Sequence, residues 1–143
     1  MTTFDKAAAT ALLQTAFAPW VRDLDLSIDS ISADGVVLRM AFSQRICRDN
    51  GVISGQSLMA LADTAAPLAI SAAAGRYMAM TTVDQTSHFL KPAANADVLA
   101  DAQVRRLGRT MAFVSVTLRT ANDPRPVALA QIAYALLGEE KKG

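Results

Sequence analysis

The stretch Ser54-Gly55-Gln56-Ser57-Leu58-Met59-Ala60-Leu61-Ala62-Asp63-Thr64-Ala65-Ala66-Pro67-Leu68-Ala69-Ile70-Ser71-Ala72-Ala73-Ala74-Gly75 decides the fold. Helix punctuation stands at both ends. Ser54 is an N-cap residue type, whose hydroxyl can accept from a first-turn N–H. Gly75 is suited to the left-handed residue that ends a helix. The span is about 20 residues, roughly 30 Å as a helix. Leu58, Met59, Leu61, Ala62, Ala65, Ala66, Leu68, Ala69 and Ile70 leave almost no polar face. A helix apolar round most of its girth has to be covered on most sides.

Downstream, the hydrophobic period changes to two. Met80 to Leu90, Ala96 to Leu107, Thr110 to Thr120 and Val127 to Leu137 read as four long strands. They are separated by Lys91-Pro92, Leu107-Gly108-Arg109 and Asn122-Asp123-Pro124. Each is about 10 residues, or roughly 33 Å extended, which matches the helix. The short links favour antiparallel neighbours. Upstream, Leu24 to Ile31 alternates with one slip and Val36 to Phe42 returns as a second strand. Ala33-Asp34-Gly35 is expected to turn between them through positive φ. Ser43 to Ile53 has no clean period and reads as a loop. A first helix is expected from about Phe4 to Ala18, ended by Pro19, with Leu13, Ala16, Phe17 and Trp20 as its buried stripe. Glu139 to Gly143 reads as a frayed charged tail. The order calls for an α+β fold, one curved antiparallel sheet wrapped around the central helix, in a single domain over residues 1–143. A two-sheet sandwich would leave the apolar helix uncovered.

Composition narrows the function. The 143 residues are 52% hydrophobic and 19% charged, which excludes a disordered tail or coiled coil. A net charge of +1 argues against nucleic acid as a partner. The lone Cys47 cannot form an internal disulfide, so a cytoplasmic location is expected. Leu58 to Ala74 comes closest to a membrane span, but Asp63 and Pro67 interrupt it, so no membrane partner is expected. Ala7 to Ala18 reads as an amphipathic helix, not a signal peptide, because Asp5 cancels Lys6 and Thr10, Gln14 and Thr15 break the apolar run. Aromatics are only 6% and alanine is abundant, so elements must approach closely or a second subunit must supply packing.

Asp63 is the leading chemical candidate. A carboxylate inside an apolar helix is costly without a partner or a use. Pro67, four residues on, has no N–H for the Asp63 carbonyl, so a bend and a small polar gap are expected beside the carboxylate. The bland alternative is an Asp paired with an arginine across an interface. Gly55 permits close approach to the backbone. The first N–H groups of its helix have no internal acceptor and could hold a developing oxyanion. Gly55 and Asp63 lie about 12 Å apart along the axis, so two helices packed antiparallel across a dimer would be needed to aim both at one atom. Arg105, Arg106 and Arg109 flank a hairpin turn, and guanidinium forks suit phosphate oxygens. A solvated hairpin tip explains them equally well. His88 is the only histidine and reads as a surface or interface residue. Cys47 has no partner for thiol chemistry. One His and one Cys make no transition-metal site.

With those residues in hand, the chain resembles the PaaI-type acyl-CoA thioesterases of the hotdog fold. The resemblance runs from Gly51-Val52-Ile53-Ser54-Gly55-Gln56 into Leu61-Ala62-Asp63, similar to the family's G-x-x-H-G-G and L-x-D. It continues through Thr82-Val83-Asp84, Phe89-Leu90-Lys91-Pro92-Ala93 and the V-x-R-x-G-R hairpin at Val104-Arg105-Arg106-Leu107-Gly108-Arg109. It implies Asp63 as general base or nucleophile, the Gly55 N–H as oxyanion donor from a partner subunit, and Thr82 as a hydroxyl that orients water. It implies substrate contacts at Asn50, Gln56, Arg106, Gly108 and Arg109. Coenzyme A would enter only as part of the acyl-CoA substrate, with no separate cofactor and no metal. A homodimer or dimer-of-dimers tetramer is implied. The chain departs from the family at Ser54, where the histidine stands, at Gln56, the second glycine, and at Arg48, where an asparagine is frequent. Those departures keep a non-catalytic binder of acyl-CoA or another apolar ligand as the alternative. A dehydratase relying on His88 is a third reading.

Overall fold

The computed structural model describes residues 4–138; the tail expected at Glu139 to Gly143 lies outside them. The elements are α1 (Lys6–Thr15), α2 (Pro19–Arg22), β1 (Leu26–Ile31), β2 (Gly35–Met40), α3 (Gly55–Ala74), β3 (Met80–Phe89), β4 (Val98–Leu107), β5 (Met111–Thr120) and β6 (Pro126–Leu136). The six strands form one antiparallel sheet in the order β1-β2-β4-β5-β6-β3. α3 lies across its inner face, chiefly on β2, β4 and β5. This is the hotdog arrangement.

The caps of α3 follow the sequence. Ser54 accepts from the Ser57 N–H, and Gly75 ends the helix at φ 76°. The sheet-facing side is a small-residue surface. Ala62, Ala65, Ala66 and Ala69 meet a sheet whose own buried positions include Ala100, Ala102, Ala112 and Ala130. Leu61, Leu68 and Ile70 fill the space left between them. The abundance of alanine thus becomes close helix-to-sheet approach. By length and apolarity α3 would suit a bilayer, against the expectation that Asp63 and Pro67 forbid it; its apolar side is instead packed in this core.

Several expectations need correction. α1 stops at Thr15, and Pro19 opens a separate short helix at its N1 position, where a proline is favoured. Trp20 therefore leaves the α1 stripe. The buried positions of α1 are Ala9 and Leu13, whereas Trp20 is 60% exposed. The Asp34-Gly35 turn uses no positive φ. Gly35 is needed for space, since a Cβ there would stand 2.9 Å from the Ala102 carbonyl oxygen. The slip in the first strand is a bulge between Ile28 and Ser30. Most consequentially, Lys91-Pro92 is not a hairpin link. β3 pairs with β6, while β4 pairs with β2 and β5. The chain crosses from one sheet edge to the interior, leaving β3 as a ten-residue edge strand. At the other edge, Arg39 joins Asp29 of β1 at 2.9 Å and Asp97 before β4 at 3.0 Å, and Asp97 also accepts from the Phe42 N–H at 2.8 Å.

Candidate active site

The helical spacing of Gln56, Met59, Ala60, Asp63 and Pro67 puts these residues on the side of α3 turned away from the sheet centre. They face a cavity of about 510 Å³. Its far wall comes from the N-terminal segment, through Leu12, Phe17, Trp20 and Val21. Tyr77 and Met80 line it as the chain leaves α3 and enters β3. The exposure of Trp20 is thus exposure toward a cleft.

Asp63 is half-buried on the cavity wall. Its Oδ1 accepts from Thr82 Oγ1 at 2.9 Å and from Tyr134 Oη at 2.7 Å. Thr82 of β3 and Tyr134 of β6 are direct cross-strand partners, so one sheet rung supplies both donors. Immediately afterwards β3 bulges between Thr82 and Asp84, which leaves Val83 unpaired and exposed. Such bulges re-aim side chains beside sites. Among the described residues Asp63 has no ion pair, so the bland alternative of an arginine partner does not hold within the chain. Oδ2 has no hydrogen-bond partner there. Burial, reinforced by the adjacent carboxylate, pushes the Tyr134 phenol far above its ordinary range, so it remains a proton donor at neutral pH.

Gly55 opens α3 beside Phe89 of β3. A Cβ at this position would stand 3.3 Å from the ring, so glycine is explained by close approach and not by a turn conformation. Ser54 Oγ caps the Ser57 N–H and lies 2.8 Å from Ser57 Oγ, whose hydroxyl donates to the Ile46 carbonyl. The N–H groups of Gly55 and Gln56 precede the first helical acceptor and remain directed outward from the helix end. Gln56 is exposed and lines the Asp63 cavity, whereas Gly55 lines a separate cleft with Phe89, Leu90 and Lys91. Asn50 is exposed at φ 61°, ahead of Gly51 at φ 69°. A left-handed turn is itself a reason for asparagine there.

The arginine hairpin lies elsewhere. Arg106 and Arg109 are exposed at the β4–β5 turn, near where β6 ends, since the Leu136 N–H donates to the Thr110 carbonyl. Gly108 closes that turn on the Met111 carbonyl at 2.8 Å. Arg105 donates to Ser115 Oγ. One chain therefore brings together Asp63, Thr82 and Gln56, but not Gly55, Asn50, Arg106, Gly108 or Arg109. His88 is exposed on β3 and does not line the Asp63 cavity of its own chain. Tyr134 is the partner of Asp63 that sequence reasoning missed. Its signal was the unpaired Asp63 carbonyl implied by Pro67, which asks for a donor from another element.

Comparison with known proteins gives the family. The profile of the Thioesterase superfamily matches residues 50–127, more than half of the chain. The chain belongs to the thioesterase superfamily. That makes it a hydrolase of thioesters by class. A curated relative from Halobacterium salinarum, provisionally named an esterase, is 28% identical over 93% of this chain and 92% of its own. A crystal structure from Silicibacter sp. TM1040, provisionally named a thioesterase, superposes with a TM-score of 0.84 at 28% identity, covering 95% of this chain and 94% of that one. A thioesterase from Haemophilus influenzae superposes with a TM-score of 0.82 at 22% identity, over 96% and 95% of the two chains; that likeness is one of fold.

Proposed function

We propose that this member of the superfamily is a PaaI-type acyl-CoA thioesterase that hydrolyses small-to-medium acyl or aryl thioesters. The observation that carries the reading is the state of Asp63. Its carboxylate borders a largely apolar cavity, with one oxygen held by two neutral hydroxyls and the other left open. A carboxylate serving only structure would be expected to fill both oxygens or meet a cation.

Two routes use the open oxygen. As general base, Asp63 Oδ2 takes a proton from water while the water oxygen bonds the thioester carbonyl carbon; the C–S bond then breaks, and the proton passes to the departing thiolate. As nucleophile, Oδ2 itself bonds that carbon and expels the thiolate, and water then cleaves the resulting anhydride. In either route charge gathers on the carbonyl oxygen and needs donors in place beforehand. The outward N–H of Gly55 suits that task, but about 12 Å of helix separates it from Asp63 in one chain.

A second copy of the chain supplies the missing half in this reading. The edge strand β3, ten residues long and paired with β6 on one side only, leaves the outward half of its backbone groups free and carries exposed Val83 and Phe89, with Leu90 just beyond and Met59 of α3 alongside. Natural proteins rarely leave such an edge without cover. Pairing two copies antiparallel along β3 runs their central helices antiparallel and carries the Gly55 end of one toward Asp63 of the other. Asn50 and Gln56 travel with that end as substrate contacts. Arg106, Gly108 and Arg109 then meet the phosphates of coenzyme A, at this dimer or at a further dimer-to-dimer contact. The protein works as a homodimer or a tetramer of such dimers, in the cytoplasm.

The test is thiol release from a panel of acyl-CoAs by the wild type and by Asp63→Ala. Turnover by the wild type that disappears in the variant supports the reading. Equal turnover by both removes Asp63 from the chemistry. A wild type that binds acyl-CoA, seen as a raised Tm, and hydrolyses none of the panel makes the protein a binder. Single turnover in ¹⁸O-water can identify the anhydride route, because label enters Asp63 only when water cleaves the anhydride at the Asp63 carbon.

A further inference from the structure

Pro67 stands one helical turn beyond Asp63 and has no N–H to donate to the Asp63 carbonyl. That carbonyl nonetheless has a donor nearby. Tyr134 Oη lies 3.3 Å from it and 2.7 Å from Asp63 Oδ1. One phenol proton is thus set between a main-chain and a side-chain oxygen of the same residue, with the shorter contact to the carboxylate. Tyr134 is 1% exposed, and its ring is held within the core. Its cross-strand partner Thr82 donates to the same Oδ1. Both donors therefore converge on one oxygen, and the other has none among the described residues.

The chemistry of these donors matters. A guanidinium would grip both carboxylate oxygens in a fork and offset the charge that a base or nucleophile needs. Two hydroxyls fix the orientation and leave the charge in place. The seat for the phenol depends on residue 67. With an N–H there, the helix would satisfy the Asp63 carbonyl internally, in competition with the phenol.

We propose that Pro67 and Tyr134 form a positioning device for Asp63: the proline frees the Asp63 carbonyl, the buried phenol seats against it, and the phenol then locks the carboxylate with Oδ2 turned to the cavity. Tyr134 reaches the wall of the same cavity but is almost wholly buried, and it acts through Asp63. The proposal rests on the reading of Asp63 as the reacting carboxylate. Its physical basis is that a carboxylate free to rotate spends little time in attack geometry, and a misplacement of about 1 Å costs up to about 10²-fold in rate.

The experiment compares wild type, Tyr134→Phe and the Tyr134→Phe/Pro67→Ala double variant. In Tyr134→Phe, kcat should fall by up to about 10²-fold with KM little changed, because the substrate contacts remain. Its Tm should fall as well, since the Asp63 carbonyl loses its donor. Restoring an N–H at residue 67 should then recover Tm in the double variant without recovering kcat. A purely structural role for Tyr134 predicts that kcat returns with Tm, and that result, or an unchanged kcat in Tyr134→Phe, overturns the proposal. A second measurement does not depend on Tyr134→Phe folding. The chain has two tyrosines, so ¹³Cζ-tyrosine spectra resolve Tyr134 directly. Its resonance should move in Asp63→Ala while that of Tyr77 moves less; an unmoved Tyr134 signal overturns the proposal. Full turnover by Asp63→Ala in the same preparation instead overturns the underlying reading of Asp63, and the tyrosine spectra still report on the hydrogen bond.

Discussion

The middle of α3 and its N-terminal turn are built on different terms. In the middle, one chain assembles everything around Asp63: a hydroxyl from β3, a phenol from β6 and a missing N–H from Pro67. At the N-terminal turn, Ser54 and Ser57 tie the helix start to Ile46, but the outward N–H of Gly55 faces away from the Asp63 cavity. One region is finished within a protomer, whereas at the other the outward N–H of Gly55 has no acceptor among the described residues. The difference teaches why the proposed function takes the charged centre of the helix from one copy and its positive end from another.

Substitutions can break that contrast in order of size. Asp63→Ala removes the finished centre and should lower thiol release by about 10²- to 10⁴-fold, the usual span for a general base, with the fold intact by circular dichroism. Leu61→Ala empties the fully buried side of the helix behind that centre. It should cost about 2–5 kcal/mol in denaturant unfolding, whereas Met59→Ala, on the partly exposed side, should cost far less. Gly55→Pro sharpens the comparison when read against Gly55→Ala, because either Cβ would press on the Phe89 ring at 3.3 Å and only proline removes the N–H. Proline is well tolerated at the first helical position, and Ser54, at ψ 146°, already has the extended conformation that precedes proline. The helix should survive while the N–H disappears, and kcat should fall by about 10²- to 10³-fold. An unchanged kcat there would show that the helix end plays no part in the chemistry. Ser54→Ala tests the structural side of the same turn and should cost about 1 kcal/mol.

The smallest effect is expected far from both regions. The Phe42 N–H, and then Arg39, hold the Asp97 carboxyl below its ordinary range. Its contribution to stability is therefore present above the unfolded carboxylate value, near about 3.9, and is lost as pH falls through the lower folded value. Melts of wild type and Asp97→Asn should converge on going from about pH 5 to about pH 2. A constant difference across that range would contradict the assignment.

Much of this was legible before any coordinates. The caps, length and apolar girth of residues 54–75 define the central helix, and the change of period after it defines the long strands. Three things were not legible, each for a physical reason. Strand pairing beyond a hairpin depends on where the chain crosses the sheet, and Lys91-Pro92 looks the same whether β3 neighbours β4 or, as here, β6. The break between α1 and α2 was hidden because the apolar positions through Trp20 keep helical spacing across Pro19. Tyr134 sits in a run of alternating apolar residues, where an aromatic reads as core. Its hydroxyl reaches the Asp63 carboxylate and also the Asp63 carbonyl, which Pro67, sixty-seven positions earlier in the chain, leaves without a helical donor. For the arginine hairpin the sequence was even-handed between a phosphate grip and a wet loop tip, and a single protomer leaves Arg106 and Arg109 exposed.

The cleft opposite Asp63 has one further consequence. Leu12, Phe17, Trp20 and Val21 shape it, yet they lie outside residues 50–127, the portion that matches the superfamily profile. The reactive side and the moulding side of the cleft are thus carried by separable lengths of chain. On the proposed function, a transplant of residues 4–24 from a related protein would recast the hollow while leaving the hydroxyl-held carboxylate as it stands, so selectivity should follow the donor segment and bond cleavage should not.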